Sequence, residues 1–116
     1  MVQDYPASQC ALAKVVQRDG VPVAERFELY LGPLELANGY HELTDALEQR
    51  ARFERDLAVR AARGEASPAL DEGLLAGLAH GMPACSGVAL GVDRLLMAMR
   101  DTPRIADVLA FDFARA

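Results

Sequence analysis

Cysteine is scarce in this sequence: Cys10 and Cys85 are the only two. Two well-separated cysteines supply neither a disulfide framework nor a zinc site. Both read as reduced thiols, as expected of a cytoplasmic protein. Histidine is equally rare. His41 reads as a strand-face residue and His80 falls at a helix end, where its charge suits the dipole. Neither has a second ligand at metal spacing. Lysine occurs once, as Lys14, against eleven arginines, and the net charge is −5. That balance argues against a broad nucleic-acid surface, which needs clustered positive charge. Arg50, Arg52, Arg55, Arg60 and Arg63 do cluster, but among Glu48, Glu54 and Asp56. Mixed signs at three- and four-residue spacing describe a solvated helix face. No apolar run approaches the ~20 residues of a membrane span. The opening "MVQDYPASQC" lacks the basic-then-apolar pattern of an export signal. There is no internal repeat and no low-complexity tract.

What is present suits one globular domain. The chain of 116 residues is 52% hydrophobic and 25% charged, enough to bury a modest core. Residues 25–31, "ERFELYL", alternate cleanly: Phe27, Leu29 and Leu31 share one face, and Arg26, Glu28 and Tyr30 share the other. Gly32-Pro33 is turn chemistry, and residues 34–43 read as a second strand. Inside that strand, Asn38-Gly39 is by local rules a hairpin signal. A hairpin there would leave arms of only about four residues. From Asp45 the period becomes helical. Asp45 and Glu48 resemble a capping box, Ala46, Phe53, Leu57 and Ala61 form an apolar stripe, and Gly64 is a natural stop. "GEASP" reads as a loop. Residues 70–80 form a shorter helix that ends at Gly81 and Pro83. "CSGVALGV" reads as a strand, "DRLLMAMR" as an amphipathic helix, and "PRIADVLAF" as a short helical or mixed segment. "YPASQCALAKV" begins abruptly, with nothing before it for a strand to pair with. The order strand, strand, helix, helix, strand, helix predicts an α+β fold, an antiparallel β-sheet with flanking helices.

Two places carry candidate chemistry. In a regular strand Asn38, Tyr40 and Glu42 share a face and Glu35 points away. A β-bulge between positions 35 and 38 would bring Glu35 to the same side, and a nearby glycine makes that slip cheap. Glu28 on the neighbouring strand then faces the same site. Two close carboxylates repel unless they share a proton or a cation. Mg²⁺, which takes oxygen ligands and substrate phosphates, is the natural partner. The plain alternative is that both are ordinary exposed strand residues. The second place is "SGVALGVDR". A Gly-flanked strand running into a helix lets a ligand approach the backbone, and Arg94 in the first turn offers a planar guanidinium to a phosphate or a base. The plain alternative there is a tight connection with a surface arginine.

The combination "RFELYLGPLELANGYHELTDALEQRARFERD" with "LAHGMPACSGVALGVDRLLM" resembles the C-terminal half of the catalytic domain of class II lysyl-tRNA synthetases. "GVALGVDRLLM" looks like that class's motif 3. "PASQCALA", "GMPACSGVALGVDR" and "VLAFDFARA" look closer still to the paralogous family that ligates (R)-β-lysine to elongation factor P. The resemblance implies ATP and Mg²⁺ as cofactors. Glu28 and Glu35 match the positions that hold the metal on the ATP phosphates, and Asn38 a residue near the substrate carboxylate and phosphates. Tyr40 matches an aromatic wall of the amino-acid pocket, Glu42 the acid that pairs with the lysine ammonium, and Arg94 the catalytic motif 3 arginine packed on ATP. The tRNA-charging enzymes resemble "GLGIGIDR" where this chain has "GVALGVDR". The extra methyl of Ala89 should displace an α-amino group and suit a shifted amine, worth ~1–3 kcal/mol in a tight pocket.

The same resemblance implies that residues 1–116 are the C-terminal portion of a catalytic domain. Motif 1, which makes the family's homodimer, and motif 2 would lie upstream of Met1, and this portion is expected to be inactive alone. Arg26-Phe27-Glu28 mimics the Arg-x-Glu of motif 2, but its context fits the later strand. Two other readings stay open: a portion of a lysyl-tRNA synthetase that charges tRNA, and a non-catalytic binding or dimerisation module with the same fold.

Overall fold

The computed structural model describes residues 1–115. The chain divides into two compact units, one formed by Met1–His41 with the segment from Ser86 onward, the other by Glu42–Cys85.

The first unit is built on an antiparallel sheet. Its strands are β1 (Val2–Pro6), β2 (Val15–Arg18), β3 (Val21–Leu31), β4 (Leu34–His41) and β5 (Ser86–Leu90). The hydrogen-bonded order is β1-β3-β4-β5, with β2 also paired to β3. The α+β reading with an antiparallel sheet is therefore correct, but two strands were missed. Pro6 ends a strand that pairs with β3, not a segment without a partner. Asp19-Gly20 joins β2 to β3 with φ of 51° and 78°, the left-handed pair that a two-residue type I′ hairpin requires. Gly32-Pro33 makes the next hairpin, with Leu31 opposite Leu34.

β4 ends at His41, two residues short of the expected end. Its bulge lies upstream of Asn38-Gly39. Leu29 pairs with Ala37 and Tyr30 with Glu35, so Leu36 is the extra residue. Gly39 is regular and pairs with Phe27 on one side and Val88 on the other. A Cβ there would lie 2.5 Å from Phe27 Cε1 and 2.8 Å from the Gly87 carbonyl oxygen, so the position needs glycine for close approach and not for a bend.

Helix α3 (Val92–Met99) follows β5 after one residue and packs on β4 with Met97 buried. The expected mixed segment near the end is a short 3₁₀ turn, Ile105–Asp107. The buried apolar side chains of this unit are Ala13, Ala24, Leu36, Ala37 and Met97, three of them alanine. Leu29, Leu31, Val88 and Leu90 stay exposed.

The second unit holds α1 (Ala46–Ala62) and α2 (Glu72–His80), which pack on each other. The Asp45 carboxylate caps α1, accepting from the N–H groups of Leu47 and Glu48. Only that half of the expected capping box forms. Glu48 instead pairs with Arg52, four residues on. The expected apolar stripe is also displaced: Gln49 and Arg52 are the buried residues of α1, while Phe53 and Leu57 are half-buried. Arg50 grips Glu72 of α2 through two bonds of 3.1 and 2.5 Å. The pairing draws the Glu72 carboxyl below its ordinary pKa and raises Arg50. Leu43, Leu75 and Leu78 are buried here. No helix among the described residues is long and apolar enough to cross a membrane.

Candidate active site

Register decides which side chains meet. Arg26 pairs with Tyr40, Glu28 with Asn38, and Tyr30 with Glu35. Cross-strand partners lie on the same side of a sheet. Arg26, Glu28 and Tyr30 alternate along β3, so all six residues share one face. The bulge at Leu36 is what adds Glu35 to the set, as the sequence required. β5 completes it: Ala89 pairs with Asn38 and Gly87 with Tyr40. The exposed Ala89 methyl thus stands beside Asn38 on the polar face.

The bulge has a second effect. It frees backbone oxygens that fasten the start of α3. The Leu36 carbonyl accepts from Gly91 N–H at 2.9 Å. The Glu35 carbonyl accepts from Arg94 Nη1 at 3.0 Å, and the Glu35 carboxylate lies 4.0 Å from the same nitrogen. The Arg94 stem packs over Gly91 at 3.4–3.6 Å from where a Cβ would stand. Half of the Arg94 side chain remains exposed, so the guanidinium is anchored along one edge and open along the other.

Glu28 is buried, yet it is a carboxylate surrounded by donors. Arg26 Nη2 donates to one of its oxygens and the Tyr30 hydroxyl to the other. The Tyr5 hydroxyl faces it as well. The Tyr30 bond, then the Tyr5 bond, hold the Glu28 carboxyl below its ordinary pKa; burial opposes this and the charge of Arg26 assists it. The same contacts push Tyr5 and Tyr30 above the ordinary tyrosine range, because each phenol donates to an anion. The expected Glu28–Glu35 repulsion is relieved, since Glu28 already faces a guanidinium.

Asn38 Nδ2 donates to the Tyr40 hydroxyl at 3.2 Å, while Asn38 Oδ1 is buried without a partner. A buried acceptor of that kind is costly unless a ligand satisfies it. Among the described residues no group of three or more His, Cys, Asp and Glu side chains gathers as a metal cage. A hard cation that keeps waters and binds substrate phosphates needs only one or two carboxylates. Glu28, Glu35 and the orphaned Asn38 oxygen on one face fit such an ion.

Residues 1–115 match the family described as tRNA synthetases class II (D, K and N). The chain belongs to the class II tRNA synthetase family. Within it, the chain is 56% identical over 115 residues to an elongation factor P–(R)-β-lysine ligase of Edwardsiella ictaluri. It is 54% identical to the protein of that name from Pectobacterium atrosepticum and 55% identical to the one from Salmonella arizonae. Each match takes in 99% of this chain and 35% of the relative. The chain therefore spans about a third of the length of the curated relatives it matches.

Of the residues expected from sequence, Glu28, Glu35, Asn38, Tyr40 and Ala89 come together on one synthetase sheet face, with Arg94 tied to Glu35. Glu42 lies one residue beyond β4, in the second unit, half-buried, its N–H bonded to the Cys85 carbonyl at 3.0 Å. Tyr5 was missed. The signal was the Asp-Gly hairpin at 19–20, which implies β2 and β3 as a pair and leaves "VQDYP" to line an open edge.

Proposed function

We propose that the protein to which this chain belongs activates (R)-β-lysine with ATP and transfers it to a lysine of elongation factor P. Residues 1–116 would form the C-terminal portion of its catalytic domain. The observation that carries this reading is the gathering of Glu28, Glu35, Asn38 and Tyr40 on one face, with Ala89 opposite Asn38 and Arg94 tied to the Glu35 carbonyl. The relatives' names favour the same substrate pair.

In this reading the amino-acid carboxylate attacks the α-phosphorus of ATP, pyrophosphate leaves, and an aminoacyl-adenylate forms. The amine of the acceptor lysine then displaces AMP. Glu28 and Glu35 would hold Mg²⁺, which when bound offsets phosphate charge. Arg94 lays its open edge on the nucleotide. Asn38 Oδ1 accepts from the substrate amine or coordinates the ion, and Tyr40 forms the pocket wall. Glu42 holds the distal ammonium by a charge-assisted bond. The Ala89 methyl narrows the space beside the substrate backbone and favours the amine shifted to the β-carbon over α-lysine, and thus over the tRNA-charging reaction.

The test is direct. The full-length protein, given ATP, Mg²⁺ and (R)-β-lysine, should raise the mass of elongation factor P by one β-lysyl group; an unmodified factor refutes the proposal. Glu42→Gln should abolish amino-acid-dependent ATP–pyrophosphate exchange, and wild-type exchange in that variant would remove Glu42 from the pocket.

A further inference from the structure

Arg26 has no role in the reaction as described, yet few side chains on this face are more constrained. Its Nη1 donates to the Gln9 carbonyl at 3.0 Å and its Nη2 to Glu28. The guanidinium lies 4.6 Å from the centre of the Tyr5 ring and 5.9 Å from that of Tyr40. Its side chain is 17% exposed, and Nε is buried without a partner. Stability alone is a weak reason for such an arrangement, because a buried ion pair often contributes nothing over apolar packing.

The pattern of donors gives a better one. Arg26 takes one oxygen of Glu28 and Tyr30 takes the other. The Tyr5 hydroxyl is a third donor; each carboxylate oxygen has two acceptor sites, so the three donors orient the group and still leave one site for a cation. That is how outer partners hold a metal-binding carboxylate. We infer that Arg26 is a positioning residue: braced by the Tyr5 ring and the Gln9 carbonyl, it fixes the Glu28 carboxylate for the metal and, through Tyr40, ties it to the wall of the amino-acid pocket. This rests on the proposed role of Glu28. Lysine could not replace it, since one ammonium cannot lie flat on a ring while donating in two fixed directions.

The experiment uses the full-length protein and reads Mn²⁺ binding by electron paramagnetic resonance, with a non-hydrolysable ATP analogue present. Arg26→Gln and Arg26→Lys should each weaken Mn²⁺ binding by roughly tenfold or more. Pyrophosphate exchange in both should recover at high metal concentration, a recovery that general loss of structure would not give. Glu28→Gln is measured in parallel. If it binds Mn²⁺ like wild type, the role of Glu28 fails and this inference falls with it. If Glu28→Gln weakens binding but both Arg26 variants do not, the positioning role alone is overturned. Should Arg26→Gln fail to fold, Arg26→Lys is judged by the same criterion.

Discussion

Replacing Gly39 with alanine tests the register of the whole site at one atom. The new Cβ would lie 2.5 and 2.7 Å from two carbons of the Phe27 ring and 2.8 Å from the Gly87 carbonyl oxygen. Carbon atoms prefer about 3.5–4.0 Å, so something must move by about 1 Å. The ring can turn in part, because Phe27 is only half-buried. The carbonyl belongs to backbone, and it moves only if β5 shifts against Asn38 and Tyr40. That places the cost in the upper part of the overpacking range, about 2–3 kcal/mol. Loss of glycine's freedom in the unfolded chain returns about 0.4–1 kcal/mol, leaving a net destabilisation of about 2 kcal/mol. Urea unfolding of the full-length protein, followed by circular dichroism, should show a lower midpoint at unchanged slope. In a Phe27→Leu background the ring clash is eased and the carbonyl clash remains, so the same substitution should cost less but still be measurable. Equal stability of Gly39→Ala and wild type, or an identical cost with and without Phe27, would refute this account of the glycine.

Ala89→Gly should raise activation of α-lysine relative to β-lysine by roughly 10-fold, within the range a single methyl commands; competition between the two amino acids in pyrophosphate exchange measures the ratio, and an unchanged ratio would count against Ala89 as the discriminator. Tyr30→Phe should destabilise the protein at neutral pH. Because Glu28 has a lowered folded-state pKa, that contribution is full above the ordinary carboxylate value of 4.5 and fades as pH falls through the lower folded value; the wild-type–variant difference should therefore shrink in acid, and a constant difference from pH 7 to pH 3 would contradict it. Asp45→Ala removes the acceptor for two helix N–H groups and should cost about 1 kcal/mol in urea unfolding.

Much of the fold was legible because periodicity and turn chemistry agree over residues 25–34 and 45–64. The alternation at 26–31 assigned both faces of β3 correctly, and helix α1 began at the residue its cap predicted. The site was legible for a narrower reason. Glu35 and Asn38 differ by three, an odd step that no regular strand accommodates, so wanting both on one side demanded a bulge. The bulge falls within that interval and not at the glycine. Here the slip falls on Leu36, whose carbonyl is held by Gly91, and Gly39 serves close packing. The burial of Gln49 and Arg52 was beyond sequence reasoning, since helical stripes are read from apolar residues. Tyr5 was overlooked for a different reason: its place beside Glu28 depends on β1 pairing with β3, Tyr5 opposite Ala24, which becomes readable only once the Asp19-Gly20 hairpin is recognised.

The extra residue at Leu36 acts as a phase marker within β4. On its hairpin side, odd positions look toward the polar face; past it, even positions do. Deleting Leu36 would restore strict alternation and keep Glu35 on the polar face, two positions from Asn38; what would be lost is the carbonyl that holds Gly91. Ironing out the slip at unchanged length would do the reverse and turn Glu35 to the opposite side: the register step, not the identity of the residue that makes it, keeps the two carboxylates on one face.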